Sequence, residues 1–93
     1  MSKFTRGKWH YFSSNGCIHC DGKLIAEVAG AGGPKSYRHA QGEANARLIA
    51  AAPEMYETLE LCAKVLYGHN EFAVAQKVHN LLARIDGEKI DNG

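Results

Sequence analysis

The chain is short of most features that would assign a function outright. No apolar run approaches the roughly 18 residues of a membrane-spanning helix. The opening "MSKFTRGKWHYF" lacks the apolar stretch of a signal peptide, so a cytoplasmic address is expected. Charge of one sign is not in excess: Lys and Arg total 11, Asp and Glu 10, over 93 residues. That balance argues against binding duplex nucleic acid and equally against an acidic DNA mimic. Cysteine is scarce and odd in number, three in all, which fits reduced thiols better than a disulfide framework. Only two prolines are present. Serine and histidine occur, but in no elbow or triad context, so an enzyme is not expected.

What is present is 45% hydrophobic residues, enough for one modest core. The expected layout is a flexible lead over 1–8, a single domain over 9–87 and a tail over 88–93. From Trp9 the pattern has a period of two. "WHYFS" precedes Asn15-Gly16, "CIHC" precedes Asp21-Gly22, and "KLIAEV" follows. Asn-Gly and Asp-Gly favour two-residue hairpin turns, whose central residues need positive φ. They predict a three-stranded antiparallel β-meander with Phe12 opposite His19 and Ile18 opposite Ile25. One face then carries His10, Phe12, Cys17, His19 and Leu24, and is the more continuous. It is expected to meet the helices. The other leaves Trp9, Tyr11, Ile18 and Ile25 half exposed as a partner-binding patch.

Past residue 42 the period becomes 3.6. "EANARLIAAA" reads as a short helix. Pro53 suits the first turn of a second helix, with Gly68 as its stop and Asn70 as cap of a third. Gly87 ends that third helix. The fold class is α+β: the meander, a short helix, then a helical hairpin.

"CIHCDGK" opens like a zinc knuckle. Yet Cys17 and Cys20 are an odd number apart on a strand, which sends them to opposite faces. A four-ligand site also lacks its second half. The strand reading is therefore preferred, with Cys17 and Cys20 kept as the metal alternative and no cofactor expected. "GAGGPKSYRHAQG" lies between a strand and a helix, the layout of a phosphate-binding turn. It is not a Walker sequence, because Pro34 precedes Lys35-Ser36. Lys35, Tyr37, Arg38, His39 and Arg47 are its candidate ligand contacts.

Several stretches carry a resemblance. "FTRGKW" resembles the "TPGPW" opening of a widespread set of small phage and prophage proteins. It departs from that opening at Arg6 and Lys8. "DGKLIAEV" and "LLARIDGE" resemble their strand and closing helix, and "EANARLIAAAPEMYETL" is similar to their most recognisable signature. "CIHC" is not part of that pattern. The resemblance implies phage origin. By analogy with small accessory phage proteins, it implies antagonism of host immunity through stoichiometric binding. The expected partner is a host immune protein effector, as for an anti-CRISPR inhibitor. The alternatives are an oligomeric sponge for a nucleotide signal and a small zinc module. The same aromatic face could instead close a homodimer or higher oligomer.

Overall fold

The structure, a computed structural model, describes residues 4–34 and 39–88. Three strands, β1 (His10–Phe12), β2 (Cys17–Cys20) and β3 (Lys23–Glu27), are followed by α1 (Ala40–Ala50), α2 (Ala52–Gly68) and α3 (Phe72–Ile85). The sheet is antiparallel in the order β1-β2-β3, so the α+β class and the meander stand as read from the sequence. The chain packs as two compact units. One holds Thr5–Glu54; the other holds Met55 onward together with Phe4. Among the described residues no helix is long and apolar enough to cross a membrane.

In the first unit the second turn is as expected. Asp21 and Gly22 both have positive φ, 50° and 81°, and set Cys20 opposite Lys23 and His19 opposite Leu24. Beyond His19 the register slips at a β-bulge, so Ile18 faces Ala26 rather than Ile25. The first turn is longer than two residues: Phe12 pairs with Cys17, Tyr11 with Ile18 and His10 with His19. The glycine-rich segment explains the difference. Gly33 N–H donates to the carbonyls of Ser13 and Ser14, both at 3.1 Å, and Val28 N–H donates to Gly16 O at 3.0 Å. Ser13 and Ser14 are thereby drawn out of the ladder. Gly16 and Gly32 touch backbone to backbone; a Cβ on Gly32 would lie 1.9 Å from Gly16 N.

Helix α1 packs on β1. It begins earlier than the alanine run suggests, at Ala40, and takes in Gly42. That glycine is needed, because a Cβ there would stand 2.2 Å from Gly30 O. His39 N–H donates to the same carbonyl at 2.8 Å, seating the first turn. The Tyr11 hydroxyl donates to the Glu43 carboxylate. These contacts put α1 on the Tyr11 side of the sheet, the reverse of the expected arrangement. Ile18 is 0% and Cys20 2% exposed, and Ala46 on α1 is fully buried.

In the second unit, Tyr56 is buried. Its ring meets Phe4 edge-on with centroids 4.9 Å apart, and its hydroxyl donates to Asp86 at 2.6 Å. Pro53, the last residue but one of the first unit, lies in the first turn of α2, as expected. The α2–α3 reversal differs from expectation. Asn70 is not a helix N-cap but the left-handed residue after α2, with φ 62°. Glu71 N–H reaches Leu66 O at 2.9 Å and Asn70 N–H reaches Tyr67 O at 3.2 Å, the paired bonds of a Schellman ending. Gly87 ends α3 in the same way, with Glu88 N–H on Ala83 O at 2.8 Å.

Candidate functional site

The solvent face of the sheet is the one carrying His10, Phe12, His19 and Leu24. Its exposure follows from α1 covering the other side. Phe12 is 47% and Leu24 55% exposed. Phe12 sets its ring edge-on to His19, with centroids 5.3 Å apart, and His19 stands opposite both His10 and Leu24 in the ladder. An apolar and imidazole row thus crosses all three strands. An open cleft borders it, lined by His10, Phe12, Asn15, His19 and Asp21. Nδ1 of His19 is buried with no hydrogen-bond partner among the described residues. A polar atom in that position costs about 1–3 kcal/mol until something satisfies it.

The expected patch is corrected at Ile18 alone, since Trp9, Tyr11 and Ile25 are half exposed, as expected. Ile18 has no accessible surface, because it points at the side α1 covers. Tyr11 is half-buried and committed to Glu43. Trp9 is half-buried, its indole N–H donating to Thr5 O at 3.1 Å. Ile25 is half-buried at the bulge. Hydrophobic alternation finds both faces of a strand but does not say which one the next helix will cover. Gly30 and Gly42 let the start of α1 approach the loop backbone closely, a contact that alternation does not register.

Of the loop candidates, Lys35, Tyr37 and Arg38 lie outside the described residues. His39 is exposed at the start of α1 and makes no side-chain cap bond. Arg47 is exposed in the last turn. The amides a phosphate would use are partly spoken for: Ala31 N–H donates to Val28 O at 3.2 Å and Gly33 N–H to the serine carbonyls.

Cys17 and Cys20 are both buried on β2, in separate surroundings. The Cys17 thiol lies 3.7 Å from Asn15 O and 4.0 Å from Glu27. The Cys20 thiol lies 3.4 Å from Arg6 O and 4.0 Å from Asp21. Cys62 is exposed on α2. Among the described residues no group of three or more His, Cys, Asp or Glu is placed to hold a metal ion.

The chain is a small α+β protein with an open sheet face that carries Phe12 and Leu24. The family model described as Salmonella phage P22 protein Y8K6 matches residues 1–87, and the chain belongs to that family. No curated protein and no solved structure matches it significantly.

Proposed function

We propose that this phage protein is a non-enzymatic antagonist of a bacterial immune system, acting in the host cytoplasm by stoichiometric binding to a protein effector. The open sheet face is its contact surface. The observation that supports this reading is the row of exposed Phe12 and Leu24 with half-buried His19 between them on a three-stranded sheet. Exposed aromatic anchors beside an unsatisfied polar atom suit a protein hot spot, where an aromatic truncation costs about 2 kcal/mol or more. The nucleotide-sponge reading draws less support. Glycines of the loop are used for backbone packing, and two of its amides already have acceptors.

The test is plating efficiency. The protein is expressed in strains that each carry one defined defence system and are challenged with a phage sensitive to it. Restored plating in one strain is expected, together with co-purification of that system's effector in fixed stoichiometry. Phe12→Ala with Leu24→Ala should abolish both, while Lys35→Ala with Arg38→Ala should keep both. Restoration in no strain, or the reverse mutant pattern, overturns the reading.

A further inference from the structure

The open sheet face holds one ring whose two nitrogens stand in different surroundings. Nδ1 of His19 is buried and has no partner among the described residues, whereas Nε2 is not buried. A neutral imidazole carries one proton. On Nδ1 that proton would make a buried N–H without an acceptor, a state that native proteins avoid more strictly than a bare acceptor. On Nε2 it is accessible, and His19 lines the open cleft. Packing therefore makes His19 a hydrogen-bond donor to whatever covers the face.

Asn15 is set in the same sense. Its Oδ1 accepts the Cys17 N–H at 3.0 Å, so the amide NH2 is the group left over. Asn15 is exposed and lines the same cleft. The carboxylates nearest to the face are drawn to thiols. Asp21 Oδ2 lies 4.0 Å from the Cys20 sulfur. Glu27, opposite Cys17 in the ladder, has Oε1 4.0 Å from the Cys17 sulfur. Charge then narrows the choice of acceptor. A partner carboxylate would meet Asp21 and Glu27, offset only by Lys8, which is exposed two residues before His10. An ammonium or guanidinium has donors alone and would set donor against donor at His19 and Asn15. A neutral carbonyl oxygen avoids both costs.

We infer that the partner places a neutral carbonyl oxygen, from its main chain or from an Asn or Gln side chain, on His19 Nε2, with an adjoining apolar side chain against Phe12 and Leu24. This rests on the sheet face being the contact surface, and it names the chemistry that the surface recognises. The Asn15 amide is a second donor at the same cleft, and Phe12, edge-on to His19 with centroids 5.3 Å apart, holds the ring in place.

Two measurements test it. The first needs no partner: long-range nitrogen–proton spectra of the His19 ring at about pH 8. The pattern of a proton on Nε2 is expected, and a proton on Nδ1 overturns the inference. The second uses the effector recovered by co-purification, with affinity read by calorimetry. Between about 50 and 500 mM NaCl the dissociation constant should change by less than about threefold, because no charge pair forms; a change of tenfold or more overturns the inference. Asn15→Asp keeps the acceptor for Cys17 N–H and removes the NH2 donor, and His19→Phe keeps a ring and removes the Nε2 donor. Each should weaken binding by about tenfold, with circular dichroism showing both proteins folded. An effector that needs Phe12 and Leu24 but is indifferent to both variants leaves the antagonist reading standing and overturns this one.

Discussion

Gly42→Ala sets two physical effects against each other. Gly42 is inside α1, where alanine is the better helix former by about 1 kcal/mol. On propensity alone the substitution stabilises. The close approach opposes it. The added Cβ would stand 2.2 Å from Gly30 O and 2.3 Å from Gly30 C, where nonbonded atoms prefer roughly 3.5 Å. One partner must retreat by about 1 Å, and both are backbone, so the strain cannot escape into a rotamer. Overpacking of this kind costs about 1–3 kcal/mol. The retreat also pulls His39 N–H from Gly30 O and Glu43 from Tyr11, at about 1 kcal/mol each. The net loss is about 2–4 kcal/mol after subtracting the helix gain. For a chain of this size that lowers Tm by roughly 10 °C or more. Thermal and urea denaturation followed by the fluorescence of Trp9, the sole tryptophan, reports on this unit directly. Gln41→Ala, one residue away and exposed, should stay within about 0.5 kcal/mol. A Gly42→Ala protein as stable as the parent would refute the seating of α1 on residue 30.

Three more outcomes follow from the same geometry. Ile18→Ala should cost about 2–5 kcal/mol by opening a cavity, whereas Phe12→Ala on the open face should cost under about 1 kcal/mol; equal costs in urea melts would mean that α1 does not cover the Tyr11 side. Asn70→Ala should lower stability by about 1 kcal/mol because of the left-handed backbone there, and Asn70→Gly should not; thermal melts in which both lose stability equally would contradict that account of the α2–α3 reversal. A thiol reagent should label Cys62 quickly, with Cys17 and Cys20 reacting only as the protein unfolds; three fast thiols by mass spectrometry would contradict the burial of β2.

Much of the local structure was written in the chain. The Asp21-Gly22 turn demands positive φ at both positions, and its register came out as the dipeptide implies as far as His19 opposite Leu24, where the bulge intervenes. Pro53 and Gly87 marked helix ends for equally local reasons. Asn15-Gly16 carried the same signal but gave a longer loop, since its neighbours Ser13 and Ser14 accept hydrogen bonds from Gly33, distant in sequence. Asn70 was ambiguous because Asn suits both a helix N-cap and a left-handed helix ending, and the two differ only in backbone geometry. The candidate site was legible as residues but not as a surface. Phe12, His19 and Leu24 were correctly grouped on one face, and that face was then assigned to the interior.

The amino-acid pattern alone determined which residues turn, which alternate and which spiral, because steric limits on φ and ψ act within a few residues. Only tertiary packing decided which side of the sheet is covered. That choice rests on a glycine in the loop meeting a glycine in α1, with Tyr11 reaching Glu43 across 32 positions. Periodicity has no term for such a contact: a ribbon with two apolar faces offers both sides equally until a helix closes on one of them.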